Sequence, residues 1–525
     1  MGNNYVLAMY DIRGKQEFIY KCNHLKEIMG ASWIIRDLYK DYLYPLFEDG
    51  KGIFHDQEVD FTPESFEQHL KDGYIGEVVY EGGGNFILLF KDVETFKDVT
   101  YAFTKKVMEA IGTLRVLGTY IEGVNFDNYD GDCEELYKKH HNNEKQESNT
   151  SPWGALPIVE VDRNTFLPME YKMKFGKNEY RKLSKDSYAK YRKFVEVKKK
   201  DKAYEGDADE KILDKLVFEK GEDSLLAIVY IDGNNMGAKV QKCCDDKNSY
   251  AECVKALRDF SKVIQTEYVD NGKKRIDEYL EKEYKGTDRE SIKKKRLVIG
   301  AGDEINFICN AHDAFGCAKA YLEGLGVDEN GTRHSACAGI AIFHSHDPYA
   351  EVYRIAEECC ESGKAYMKAN KIEDKCFIDY HFCQGAIGTS LEEIRKIEGN
   401  LNETDKEGKT VVAKVSRPWM LGEKPESAVD IADTNQVEEM IKVLDCFGRS
   451  NVKSLIVPSR ESEYKFDLEV ARIKAHMSQS KYDDLMSTSF KDMDPTLKRN
   501  LIYDMAVVYD IWFKAKEEKD EKSNN

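Results

Sequence analysis

Two stretches of this chain carry the same order of secondary-structure signals, and that order limits the folds open to it. An apolar strand from Tyr5 to Tyr10 ends in Asp11, and a long amphipathic helical stretch follows from about Gln16 to Phe47. Apolar runs Val78 to Tyr80 and Phe86 to Phe90 then flank Gly82-Gly83-Gly84-Asn85, and a helix from about Val93 to Ala110 leads to a strand from about Leu114 to Glu122. The order is strand, helix, hairpin, helix, strand. It recurs as strand Leu226 to Ile231 ending in Asp232, helical Tyr250 to Tyr284, a hairpin at Asp303, helix Ala311 to Gly324, strand Ala336 to Phe343 and helix Ala350 to Ala369. The strand-end residue and the hairpin turn stand about 70 positions apart in both copies, as tandem duplication of one unit requires.

The second copy carries the chemistry. In LLAIVYIDGNNMG, Leu225 to Gly237, a buried-strand pattern stops at Asp232 and the turn residues Gly233, Asn234 and Asn235, so the carboxylate is held at a strand end. In RLVIGAGDEINFICN, Arg296 to Asn310, two apolar runs flank Gly302, Asp303 and Glu304, which places adjacent acids on a hairpin turn beside a residue that lets a phosphate approach the backbone. Three acids converging at strand ends suit one or two Mg²⁺ or Mn²⁺ ions that clamp a triphosphate for nucleotidyl transfer. Each motif alone also fits a structural role, Asp232 as the cap of the following turn and Asp303-Glu304 as a solvated hairpin tip. Aligning GGGNFILLF with GAGDEINFI sets Asn85 against Asp303 and Phe86 against Glu304, so the first hairpin offers a metal no carboxylate and the first copy is expected to be non-catalytic.

These motifs resemble the palm-domain polymerase and cyclase superfamily that includes GGDEF diguanylate cyclases and the large subunit of type III CRISPR effector complexes. HSACAGIAIFHSHDPYAEVYRIAEECCESGKAYMK, His334 to Lys368, and the pair DIRGKQEFIY and EGGGNFILLF are more similar to the CRISPR subunit. The likeness covers about residues 5 to 125 and 225 to 385 and implies a cyclic oligonucleotide synthase in a compact form without the nuclease domain. It implies an α+β fold of two tandem ferredoxin-like palm domains, with a linker insert and a C-terminal helical domain. The boundaries expected are 1–125, 126–223, 224–385 and 386–525. In the resembled proteins a lysine in the AEE…GK context meets the triphosphate. Lys364 and Lys368 stand four apart here, hence on one helical face, where a solvated pair is the alternative. The resemblance also implies that Gly83, Gly84 and Asn85 help to hold an acceptor nucleotide, against the simpler reading of a tight turn.

Length and composition bound this reading. A chain of 525 residues with 41% hydrophobic content can bury several cores. Its net charge of −18 disfavours broad coating of nucleic acid and confines any basic site to a local patch. One such patch is Lys172 to Lys202, thirteen Lys or Arg against four acids with Tyr180, Tyr188 and Tyr191 interleaved, which suits RNA or phosphate binding as well as a solvated helix face. Thirteen cysteines include no C-x-x-C pair, and Cys133, His140 and His141 are too few for a zinc knuckle, so no zinc is expected. The absence of a signal pattern or an 18-residue apolar run points to a cytoplasmic protein with no membrane partner. Beyond about Ala386 the pattern turns mostly helical.

The expected function is metal-dependent joining of NTPs, ATP favoured, into cyclic or short oligonucleotides in antiviral defence. Asp232 and Asp303 would be metal ligands and Glu304 a third ligand or a proton acceptor. Gly233, Asn234, Asn235 and Gly302 would line the nucleotide. The alternatives are an RNA-guided CRISPR effector subunit that acts only with partner subunits, and a non-catalytic nucleotide- or RNA-binding scaffold.

Overall fold

The computed structural model describes residues 4–22, 24–47, 51–82, 85–146, 158–163, 165–175, 179–200, 213, 216–217, 224–287, 290, 294–327, 331–384, 388–404, 408, 410–412, 415–425, 428–476, 483, 486–487 and 490–513. The fold is α+β. The chain groups into two compact units, residues 1–210, 235–269 and 298–303 in the first and 211–234, 270–297 and 304–525 in the second.

The first unit is built on a sheet of β1 (Tyr5–Arg13), β2 (Ile53–Phe54), β3 (Gly76–Gly82), β4 (Asn85–Phe90) and β5 (Arg115–Val124), in the order β2-β3-β4-β1-β5. Its helices are α1 (Lys15–Tyr20), α2 (Leu25–Arg36), α3 (Pro63–Lys71), α4 (Val93–Ala110), α5 (Tyr129–Gln146), α6 (Lys185–Lys200), α7 (Met236–Lys242) and α8 (Tyr250–Ile264), and β6 (Met169–Phe175) pairs with β7 (Glu179–Ser184) apart from the main sheet. Val6 to Tyr10 is buried at every position, so β1 is covered on both faces. Leu7, Met9, Ile87, Leu89 and Ile121 pack with Phe66 of α3, Leu136 of α5 and Leu257 of α8. On the other face Tyr10 and Phe86 meet aromatics of the helical layer, with the Tyr39 and Phe86 rings stacked at 3.7 Å. The β3–β4 register shifts between Val78 and Tyr80. There the buried Arg258 guanidinium donates to the carbonyls of Val78 at 2.7 Å and Val79 at 2.8 Å, satisfying acceptors that the ladder leaves over.

The second unit is built on β8 (Leu225–Gly233), β9 (Lys295–Ala301), β10 (Glu304–Asn310), β11 (Ala336–His344), β12 (Phe377–Phe382) and β15 (Trp419–Met420), in the order β15-β12-β11-β8-β10-β9; β13 (Asn400–Thr404) and β14 (Thr410–Val412) pair separately. Residues 298–301 of β9 group with the first unit. Its helices are α9 (Asn271–Tyr284), α10 (Ala314–Glu323), α11 (Tyr349–Ala369), α12 (Leu391–Gly399), α13 (Thr434–Asp445), α14 (Arg449–Ser454), α15 (Pro458–Glu461), α16 (Glu463–Ala475) and α17 (Pro495–Val508). Gly339 of β11 lets α11 lie directly on the sheet, since a Cβ there would stand 1.9 Å from the Ala356 carbonyl oxygen. A buried charge network, Asp379 with Arg395 and Arg417 with Asp504, ties β12, α12 and α17 together.

Within each sheet the first strand of the repeat lies between the third and the fourth, giving β3-β4-β1-β5 and β9-β10-β8-β11. The long helix expected from Gln16 to Phe47 is instead α1, α2, a π turn Tyr39–Leu43 and a short 3₁₀ turn, because His24 takes an extended backbone between α1 and α2. Likewise Tyr250 to Tyr284 divides into α8, a π turn Gln265–Asp270 and α9. Among the described residues no helix is long and apolar enough to cross a membrane.

Candidate functional site at the end of strand β8

Strand β8 runs buried from Leu226 to Ile231 and delivers Asp232, half-buried, at its end. The register pairs Ile231 with Ile305 and Tyr230 with Asn306, so Glu304, the first residue of β10, follows the last paired rung at the Asp232 end of β8. On the other side Asp232 pairs with Cys337 of β11. Asp232 and Glu304 both push the Tyr230 hydroxyl up, so both carboxylates lie near that side chain, and acids brought together repel unless a cation lies beside them.

Helix α11 supplies that positive charge. The Lys364 ammonium is ion-paired with Asp232 and stands 3.4 Å from Glu361, three residues earlier on the same helix. One turn before Lys364, Cys360 donates its thiol to the Cys337 carbonyl at 3.1 Å, which fixes the helix over β11. Burial pushes the Asp232 carboxyl up, against the lowering effect of Lys364. For Lys364 the attraction of Asp232 outweighs burial and raises its pKa, so the ammonium stays charged. Glu357, further back on the helix, is pushed up by burial and then by the negative charges of Glu361 and Asp232. Beneath them the Tyr230 hydroxyl is driven far up by burial, with Glu304 and Asp232 adding to the effect, and its ring meets Tyr353 of α11 edge-on at 5.6 Å. The arrangement is a charged rim on an apolar floor.

The turn after β8 is held by its own side chains. Asn234 is fully buried; its backbone N–H donates to Ser335 O at 3.0 Å and its side-chain amide to Lys375 O at 2.9 Å. Gly233 is buried and Asn235 is exposed with φ +58, a left-handed conformation that asparagine tolerates. Gly302 and Asp303 form the two-residue turn joining β9 and β10. Gly302 has φ +63 and open space where a Cβ would project, and its N–H donates to Gln265 Oε1 at 3.3 Å. Asp303 is half-buried. Lys368 is exposed one turn beyond Lys364. Gly83 and Gly84 lie outside the described residues, and Asn85 opens β4 opposite Gly82.

Of the residues singled out in the sequence, Asp232, Glu304 and Lys364 are thus brought to one place in the second unit. Tyr230, Glu357 and Glu361 were not anticipated, although the helical spacing Tyr353, Glu357, Glu361, Lys364 is legible as one face of α11. In the basic tract two lysines turn inward. Lys190 is buried and donates to Phe18 O at 2.6 Å, and Lys193 pairs with Asp37 at 2.7 Å and Asp41 at 2.6 Å. Tyr171 and Tyr188 stack on each other at 4.3 Å. The tract is therefore partly spent on folding.

No protein-family model matches the chain, and no curated protein does. Solved structures similar to it include the apo Csm1-Csm4 cassette, with TM-score 0.48 and 10% identity over 96% of this chain and 70% of that one. The Csm1-Csm4 cassette in complex with one ATP gives TM-score 0.47 and 11% identity over the same shares. Csm1 of T. onnurineus gives TM-score 0.44 and 12% identity over 96% and 69%.

Proposed function

We propose that the chain is a metal-dependent nucleotidyltransferase that joins NTPs, ATP preferred, into cyclic or short oligonucleotide messengers of antiviral defence in the cytoplasm. On this reading both repeats are ferredoxin-like palms, the second of them catalytic. The observation that carries it is the Asp232–Lys364 pair at a strand end, an ammonium able to neutralise phosphate beside a carboxylate, with Glu304 acting on the same Tyr230 hydroxyl.

The donors Asp232 and Glu304 of the second unit, with Asp303 next to Glu304 in sequence, are all oxygen and anionic, the donor chemistry that Mg²⁺ or Mn²⁺ takes. When bound, the ion would polarise the α-phosphate and stabilise the attacking and leaving oxygens. The acceptor ribose hydroxyl attacks the α-phosphorus, a new P–O bond forms as the α–β bridge breaks, and pyrophosphate leaves. Lys364 neutralises charge that builds on the leaving β- and γ-phosphates, and Gly302 admits the phosphates close to the backbone. The proton released by the acceptor goes to Glu304 or to solvent.

The test is incubation of the purified protein with each NTP and Mg²⁺ or Mn²⁺, with and without RNA, followed by pyrophosphate measurement and mass spectrometry of products. Asp232→Asn and Asp303→Asn should each fold normally and lose at least roughly 10²-fold in turnover. Pyrophosphate release from no NTP under any condition would refute the enzyme, and either variant keeping half the wild-type rate would refute its metal assignment. Activity found only with added effector subunits and guide RNA would assign the chain to a CRISPR complex.

A further inference from the structure

The first unit repeats the geometry of the β8 site with different side chains. Strand β1 holds the place in its sheet that β8 holds in the other, and each carries an acid near its end, Asp11 and Asp232. The helix that follows the fourth strand of the repeat, α5 or α11, then faces that acid. Where α11 presents Lys364, α5 presents His140 and Glu144. His140 Nε2 stands 3.8 Å from Asp11 Oδ2 and 3.6 Å from Glu144 Oε1, and one ligand atom from each of the three residues lies within 4.8 Å of the others.

These separations exceed hydrogen-bond length, about 2.7–3.2 Å. They are close to the roughly 3.4 Å edge of a tetrahedron whose ligands sit about 2.1 Å from a central ion. His140 is only 6% exposed, and its other ring nitrogen, Nδ1, lies 3.1 Å from Thr119 Oγ1 on β5. Thr119, itself 1% exposed, also accepts from Asn143 Nδ2 at 3.1 Å. In the tautomer whose Nδ1–H goes to Thr119, the Nε2 lone pair is aimed at the two carboxylates, where a metal ion would take the place of the Arg13 guanidinium, and the Thr119 contact would hold the ring in that orientation. His140 and Glu144 are four apart on α5 and therefore project from the same face.

We propose that Asp11, His140 and Glu144 form a second metal site, separate from the one assigned to the β8 acids, for a divalent first-row transition ion of the Mn²⁺ or Zn²⁺ class. One imidazole with two carboxylates selects these over Mg²⁺, which keeps to oxygen. Arg13 is the internal competitor. Its guanidinium pairs with Glu144 and lies 3.5 Å from Asp11 Oδ2, so it engages the two oxygens that face His140, while Lys15 holds the other Asp11 oxygen at 3.2 Å. Metal entry requires Arg13 to turn outward.

The site does not depend on the proposed activity, so it is tested on full-length protein carrying Asp232→Asn and Asp303→Asn, which silences the other metal site. Titration with Mn²⁺, followed by electron paramagnetic resonance, and with Zn²⁺, followed by calorimetry, should show one ion per chain. His140→Gln and Glu144→Gln should each weaken binding at least tenfold, and Thr119→Val by about 10- to 100-fold. Arg13→Gln should tighten it. Because His140 is buried, melting curves accompany each variant, and the half-exposed Glu144 gives a second reading if His140→Gln unfolds. No stoichiometric ion, an affinity unchanged by both ligand variants, or weaker binding in Arg13→Gln would overturn the site.

Discussion

A single added methyl group at Gly339 should disable the β8 site without touching any group in it. A Cβ at this position would stand 1.9 Å from the Ala356 carbonyl oxygen and 2.5 Å from the Cys360 amide nitrogen. Ordinary contact begins near 3.4 Å, and both neighbours are α11 backbone, so no side chain can swing aside. In Gly339→Ala the helix must therefore lift by about 1.5 Å, and Lys364, one turn past Cys360, moves away from Asp232 with it. Lengthening an ion pair from about 3 to about 4.5 Å at an effective dielectric near 20 forfeits about 2 kcal/mol, a factor of roughly 30. A misplacement of about 1 Å in a positioned group can cost roughly 10²-fold. That pairing loss adds to an overpacking cost to stability of about 1–3 kcal/mol, and turnover should fall by roughly 10²-fold through the displaced ammonium. The assay is pyrophosphate release per folded chain, with circular dichroism and thermal melting to count folded protein. A Gly339→Ala protein that melts like the wild type and turns over at its rate would show that α11 does not set the position of Lys364.

Three further outcomes follow from the same structure. Lys364→Ala should raise the KM for NTP about tenfold or more and lower the melting temperature, since it leaves Asp232 unpaired, and Lys364→Arg should recover part of both losses; an unchanged KM would return Lys364 to a purely structural pairing. If the two repeats serve one reaction, the rate per chain should not vary with protein concentration and Gly84→Val should impair acceptor use. Steep concentration dependence would move the acceptor to another chain. Burial, then the charges of Arg417 and Arg395, push the His381 pKa from 6.5 down to about 3. Between those values the unfolded chain binds a proton that the folded one refuses, so stability should fall as pH drops through that window, by about 1.4 kcal/mol per pH unit. His381→Asn should shrink the difference in melting temperature between pH 7 and pH 5, and an equal difference in both proteins would refute the assignment.

What the sequence reveals about this site follows from the range of the interactions involved. Asp232, Asp303 and Glu304 are legible because each closes an apolar run within a few residues, and Lys364 because its context lies on one helix. Tyr230 and Asn306 are not, since their pairing depends on a cross-strand register that no local pattern states. The interruption between α1 and α2 is hidden because the amphipathic pattern continues across it. Lys190 and Lys193 look like any other basic residues of their tract; only their tertiary partners, the Phe18 carbonyl and the acids Asp37 and Asp41, take them out of a solvent-facing patch. The parallel between Asp11 and Asp232 is visible in the repeat spacing, but its meaning is not. Which helical residue meets each acid depends on how α5 and α11 lie on their sheets.

If both proposed sites hold, that difference accounts for how two repeats of one strand order take two kinds of ligand. Both repeats carry, near the end of their first strand, an acid with a positive charge beside it. In the second unit the charge is the Lys364 ammonium on a helix, paired with Asp232, beside the acids proposed above to hold a metal. In the first unit the helix contributes an imidazole and a further carboxylate, and the positive charge comes from Arg13 and Lys15 at and just beyond the end of the strand. A cluster with two carboxylates and one imidazole gains nothing from a phosphate, whose charge adds to theirs, and takes a metal ion only where that ion displaces the Arg13 guanidinium paired with Glu144. Exchanging the charge on the helix should therefore exchange the ligand. Glu144→Lys removes one metal oxygen and places an ammonium against Asp11, so the variant should lose Mn²⁺ and Zn²⁺ affinity further than Glu144→Gln does. If the two substitutions were equivalent in that titration, the charge on α5 would not be what decides the ligand.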